Sequence, residues 1–86
     1  MTTIVANAAQ QSLFHLNMAE RWYRSYLQSQ QRCENEEVAA KRKFGELADV
    51  DLAKNVPYAR ARADRERDLK MTQTHALLAT MYRAFT

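Results

Sequence analysis

Apolar side chains recur along the first half of the chain with the seven-residue period of a long amphipathic helix. Gly45 is the first glycine and no proline precedes it, so nothing interrupts a helix there. With the first heptad position at Thr2 and the fourth at Val5, ten of the fourteen residues at these two positions up to Leu47 are apolar. This periodicity predicts one continuous helix over about residues 3–48.

The pattern is weaker in the middle of this helix, which leaves a second interpretation open. Gln30 and Glu37 occupy core heptad positions, and Asn35 is a residue type that often caps helices. If the helix split near Asn35, the chain would form a three-helix bundle rather than a hairpin.

A connector is predicted over about residues 49–56 and a second helix over about residues 57–85. Pro57 disfavours helical backbone at Val56 and suits the first turn of a new helix. Beyond it there is neither glycine nor proline, and apolar residues recur at helical spacing at Met71, Leu78, Met81 and Phe85. The sequence therefore predicts a single all-α domain over residues 1–86, an αα-hairpin of unequal arms.

Charge is distributed unevenly along the chain. Residues 1–19 and 71–82 contain no Asp, Glu, Lys or Arg, and folding at the connector brings these two segments together. The longer first helix is expected to extend beyond its partner, so that much of residues 1–20 overhangs. Exposed apolar side chains there favour self-association into a helical bundle, a homodimer or larger. The residues predicted to form the oligomer core are Val5, Leu13, Leu16, Tyr23, Leu27, Leu78, Met81 and Phe85.

Composition supports a soluble helical protein. Hydrophobic residues make up 47% of the chain and charged residues 27%, which is typical of a globular domain. The single cysteine, Cys33, cannot form an internal disulfide, and no apolar stretch reaches the ~20 residues that span a bilayer. No basic segment precedes an apolar run at the N-terminus, so no secretory signal is indicated. We expect a cytoplasmic protein without a membrane partner.

Residues capable of catalysis or cofactor binding are few. His15 and His75 have no further ligand at metal-binding spacing, so we expect packed histidines, with no metal and no cofactor. Cys33 falls at the fourth heptad position, which favours a small buried side chain over a nucleophile. A single glycine cannot form a phosphate-binding loop. The sequence thus argues against an enzyme.

Basic and aromatic residues offer a binding surface instead. Tyr23 falls on the predicted helix seam, whereas Trp22 lies off it beside two arginines, a composition typical of protein-binding hot spots. The net charge is +3, and many basic residues have an acidic residue four positions away. The residues predicted to contact a partner are Arg21, Trp22, Arg24, Arg60, Arg62 and Arg65.

The favoured hypothesis is a protein-binding module that acts through helix–helix contacts, such as an adaptor, an assembly chaperone or an inhibitor of a larger machine. One alternative is a small helical dimer that binds nucleic acid and regulates transcription, with phosphate contacts from the segment 41–43 and the arginines of 60–67. The other alternative is a subunit or chaperone of a secretion apparatus, suggested by the uncharged N-terminal segment and the hairpin shape.

Overall fold

Two long antiparallel helices form a rod-shaped hairpin of 63 × 18 × 14 Å. The computed structural model describes residues 2–45 and 49–86, and the side chains of residues 7–45 and 51–86. Helix α1 spans Thr2–Phe44, α2 is a short helix over Asp49–Ala53, and α3 spans Val56–Arg83. Helices α1 and α3 pack along each other, and α2 packs on α3. The predicted all-α hairpin is confirmed.

The turn between the long helices follows from local backbone chemistry. Gly45 adopts a φ of +79°, the left-handed conformation that commonly ends a helix, and α1 stops at Phe44. The predicted continuation of α1 through residues 46–48 lies outside the described residues. Asn55 caps α3, since its Oδ1 accepts a hydrogen bond from the Tyr58 backbone N–H at 3.1 Å. Pro57 lies in the first turn of α3, as predicted.

Helix α1 is continuous through Asn35, so the three-helix alternative is wrong. The Asn35 side chain accepts a hydrogen bond from Gln31 Nε2 at 3.0 Å, one turn earlier on the same helix. This bond occupies the carbonyl oxygen that a capping asparagine would offer to the backbone.

The seam between α1 and α3 consists of small side chains. Its buried residues are Ala8, Ala19, Ser29, Cys33 and Ala40 on α1, and Ala61, Asp68 and Ala79 on α3. Side chains this small let the two backbones approach closely, and larger side chains are left at the flanks of the contact. The prediction that Cys33 is a small buried residue is confirmed, with 2% of its surface exposed.

Half of the predicted heptad register is correct. Ala19, Cys33 and Ala40, at the predicted fourth position, are buried. Leu16 and Tyr23, at the predicted first position, are 49% and 50% exposed, so their predicted place in the seam is wrong. The second row of the seam runs one residue earlier in each heptad. It consists of Ala8, His15, Trp22 and Ser29, all buried or half-buried.

The predicted overhang of residues 1–20 is also wrong for most of that segment. Ala8 and Ala19 are buried in the seam, and Ser12 Oγ donates a hydrogen bond to the Ala79 carbonyl at 2.8 Å. Because Gly45 turns the chain before residue 48, α3 reaches further along α1 than a turn at residues 49–56 would allow.

Candidate protein-binding surface

A buried carboxylate joins the two long helices near the middle of the hairpin. Asp68 on α3 has no exposed surface, and neither has Ser29 on α1. Asp68 Oδ2 accepts hydrogen bonds from Ser29 Oγ at 2.6 Å and from Ser25 Oγ at 2.8 Å. These bonds satisfy a carboxylate inside the seam, where an unpaired charge would be strongly unfavourable.

Two arginines complete the surroundings of this carboxylate. Arg67 Nη2 lies 3.2 Å from Asp68 Oδ1, and Arg32 Nη2 donates to Ser29 Oγ at 3.2 Å. Burial raises the pKa of Asp68, but the hydrogen bonds from the two serines and Arg67 outweigh it and hold that pKa below its ordinary value. Asp68 is therefore ionised at neutral pH and serves to hold the helices together.

Trp22 packs at the edge of this cluster. The guanidinium carbon of Arg67 lies 5.9 Å from the centroid of the half-buried Trp22 ring. Asp64 pairs with both arginines of the cluster, at 3.3 Å from Arg32 and 3.6 Å from Arg67. The prediction that Trp22 lies off the seam is wrong, because it shares the heptad position of the buried Ser29.

Large apolar side chains lie on the outside of α1, on one flank of the seam. We call them the α1 stripe, and they are Leu13, Leu16, Tyr23 and Leu27, with exposed fractions of 59%, 49%, 50% and 47%. Their spacing of three, seven and four residues places them on one side of the helix. Tyr23 also lines a shallow groove with Ala19 and Thr72. An apolar row this exposed is unusual for a monomer with no partner.

A second apolar row lies on α3. We call it the α3 stripe, and it consists of Met71, Leu78, Met81 and Phe85. The first two are half-buried, whereas Met81 and Phe85 are 53% and 66% exposed. At its outer end, Phe85 and Tyr82 line a groove with Ala8 of α1.

The two stripes flank the seam on opposite faces of the hairpin. Trp22 and Tyr23 are consecutive residues, about 100° apart around the helix. Tyr23 lies on the flank beside Ala19, and Trp22 lies in the row of the seam that is further from that flank. Arg67 packs on the Trp22 side, and Met81 repeats the heptad position of Arg67 two heptads later. The α3 stripe therefore lies on the Trp22 face and the α1 stripe on the Tyr23 face.

The predicted site residues are distributed over several parts of the surface. Arg21, Arg24 and Arg60 are exposed, and Arg65 is half-buried. Arg62 Nε donates to Glu66 Oε1 at 3.3 Å within α3. Of the predicted oligomer core, the two stripes contain every member except Val5, whose side chain lies outside the described residues.

Several contacts between the helices were not predicted from the sequence. Among them are the bonds of Asp68 to the two serines and the direct contact between His15 and His75. These contacts can be inferred only when the antiparallel register of the two helices is known, since the partners are 39 to 60 residues apart in the sequence.

No family model, curated protein or solved structure matches the chain. Within the described residues, no helix combines the length and apolar character needed to cross a membrane. That part of the chain also contains no cluster of three or more His, Cys, Asp or Glu side chains placed to hold a metal ion.

Proposed function

We propose that this hairpin is a non-enzymatic protein-binding module that associates with a second copy of itself and with a partner through helix–helix contacts. The proposal rests on one observation: small side chains are buried between the helices, and large apolar side chains are exposed. The fully buried residues of the seam are alanines, a serine, a cysteine and one aspartate, while Leu13, Leu16 and Leu27 are exposed. A hairpin that leaves its leucines outside buries them by packing against further helices.

Self-association is assigned to the α1 stripe. Its side chains form a single row, so an antiparallel copy related by a two-fold axis can pack the same row against it. Full burial of a leucine contributes roughly 1.5–3 kcal/mol, and several half-exposed leucines together are enough to favour a dimer. The result is a four-helix bundle, the common architecture for paired hairpins.

The α3 stripe is the second docking face, for an amphipathic helix of a partner protein. Met81 and Phe85 are side chains suited to such a groove, because methionine adapts its shape and phenylalanine contributes a large apolar area. Arg21 precedes Trp22 and is exposed near the inner end of this stripe, which favours a partner with an acidic residue there.

Sedimentation equilibrium of the wild type and a Leu16→Glu/Leu27→Glu variant tests the assignment of self-association. We expect a dimer for the wild type at tens of micromolar and a folded monomer of 10.0 kDa for the variant. Val56→Glu is the matched control, because Val56 is also exposed, at 58%, but lies at the first residue of α3, at the far end of the hairpin from both stripes. A monomeric wild type, or a variant that dimerises as well as the control, would contradict this assignment.

A Met81→Glu/Phe85→Glu variant separates partner binding from self-association. It is expected to remain a dimer and to lose any partner that co-purifies with both the wild type and Val56→Glu. Retention of that partner by the variant would exclude the α3 stripe as the docking face.

A further inference from the structure

The two histidines of the chain meet across the seam where residues 7–19 of α1 pack against residues 71–82 of α3. Neither segment contains Asp, Glu, Lys or Arg, and we call this part of the hairpin the charge-free end. His15 Nδ1 on α1 and His75 Nδ1 on α3 lie 2.9 Å apart, a hydrogen-bond distance. The ring centroids lie 5.1 Å apart and the ring planes are inclined by 26°, so the two rings meet by their Nδ1 edges, as a hydrogen bond between these atoms requires. Both side chains are half-buried, so the contact is part of the packing between the helices.

Aromatic neighbours fix the orientation of His15. The Tyr82 ring stacks on it at 5.6 Å with an interplanar angle of 5°, and Phe14 meets its edge at 5.1 Å and 75°. The imidazole has little freedom to turn away from His75 without losing these contacts.

A bond between two imidazole Nδ1 atoms requires that one carries a proton and the other does not. The pair can take up one proton without losing the bond, because that proton binds Nε2 of the ring that donates. When both rings are protonated, two Nδ1–H donors face each other. The doubly protonated pair has no acceptor and places two positive charges in contact. The folded hairpin therefore resists taking up the last proton, and the unfolded chain does not.

Among the side chains that the structure describes, no carboxylate bonds to either histidine. On α1 the charged residue closest in sequence is Glu20, five positions after His15, and on α3 the closest are Lys70 and Arg83. The Tyr82 ring, which stacks on His15, carries a phenol and no carboxylate. The pair thus responds to pH without a carboxylate to stabilise the imidazolium form.

We propose that His15 and His75 form a proton-sensitive latch, which holds the charge-free end of the hairpin closed near neutral pH and releases it in mild acid. Histidine is the side-chain type that ordinarily gains its charge in mild acid, and this sets the pH range in which the latch is released. If the folded state excludes one proton that the unfolded chain binds, the folding equilibrium constant falls up to about tenfold per pH unit in this range.

Urea unfolding at pH 7.5, 6.5 and 5.5, with EDTA present to exclude bridging metal ions, measures this dependence. The critical variant is His75→Asn, because an asparagine oxygen can take the acceptor position of the imidazole Nδ1 and cannot be protonated. We expect the loss of stability on acidification to disappear in this variant, or to reverse because protonated His15 then has a permanent acceptor. Equal pH dependence in the wild type and the variant would overturn the proposal.

Nuclear magnetic resonance of the wild type gives an independent test that does not depend on the variant folding. Because His15 and His75 are the only histidines, each imidazole signal belongs to one member of the pair. Two separate titration steps are expected, since the second proton enters only as the pair breaks. A single coincident step, as for two isolated histidines, would overturn the proposal.

Discussion

Asp68 illustrates how one buried polar residue can specify the pairing of two helices. Its bonds to Ser25 and Ser29 form only in the observed register. A slip of one heptad would place either Trp22 or Glu36 where Ser29 lies, and the indole is far larger than a serine while a second carboxylate would repel the first. The other fully buried residues of the seam specify the register less, because alanine opposite alanine fits many registers. The carboxylate therefore contributes specificity as well as stability.

Asp68→Ala is expected to lower the free energy of unfolding by about 3 kcal/mol at neutral pH, since it leaves the serine hydroxyls and Arg67 without their acceptor. The pKa of Asp68 is lowered in the folded state, so its contribution is present above the ordinary carboxyl pKa and is lost as pH falls through the folded pKa. Wild type and variant should thus converge in strong acid.

Urea unfolding at pH 7 and pH 2.5 measures both effects. Glu66→Ala is the control, because Glu66 is exposed and pairs only with Arg62 in the same helix, a contact worth a few tenths of a kcal/mol. Similar losses for the two variants at pH 7 would mean that the Asp68 cluster does not stabilise the hairpin.

At the scale of elements, the sequence predicted the helices better than the faces they bury. Breakers and caps are local signals, and Pro57 correctly marks the start of α3 in the sequence. Gly45 and Asn55 are signals of the same kind that the predicted helix bounds did not use, since the first helix was extended past Gly45. The seam depends on which side chains permit close approach, and a hydrophobicity pattern ranks Leu16 and Tyr23 above Ala8 and Ser29. The pattern therefore wrongly placed the exposed flank residues Leu16 and Tyr23 in one of the two rows of the seam.

The contacts across the seam could not be predicted for a different reason. Asp68 and His75 are ordinary helix residues in the sequence, and their partners are set by the antiparallel register. That register depends on where α1 ends, and a shift of four residues there moves every facing pair by about one helical turn. The candidate binding residues were identified as apolar or basic, but their placement on two faces followed only from the fold.

Ala79→Leu tests whether the seam requires small side chains. Ala79 is 8% exposed, so a larger side chain would force the helices apart, and we expect a loss of about 1–3 kcal/mol in the free energy of unfolding. Ala76→Leu, the same substitution at an exposed position one turn earlier, is expected to change it by less than about 0.5 kcal/mol. An equal response of the two variants in urea unfolding would contradict close packing at the seam.

The molecule has one half rich in charge and one end where Arg83 is the only charged side chain in the sequence outside residues 20–70. Residues 20–70 contain all ten acidic residues and twelve of the thirteen basic residues. Ion pairs join several of these charges, including Arg32 with Asp64 and Lys41 with Glu37, so part of the positive charge is already neutralised. The stripes extend from the charge-free end towards the middle, which places the proposed docking faces largely apart from the charged half.

The affinity for duplex DNA distinguishes a protein-binding module from a nucleic-acid-binding protein. Affinity for a duplex depends on the number of phosphates that basic residues neutralise, and Arg62 and Arg67 already pair with carboxylates of α3. We therefore expect binding to duplex DNA at ~150 mM salt no tighter than the ~10⁻⁴–10⁻⁶ M of non-specific contacts. Titration of a labelled duplex with the wild type and an Arg60→Ala/Arg62→Ala/Arg65→Ala variant measures it. Nanomolar binding by the wild type that the folded variant loses would favour a nucleic-acid-binding protein over the module proposed above.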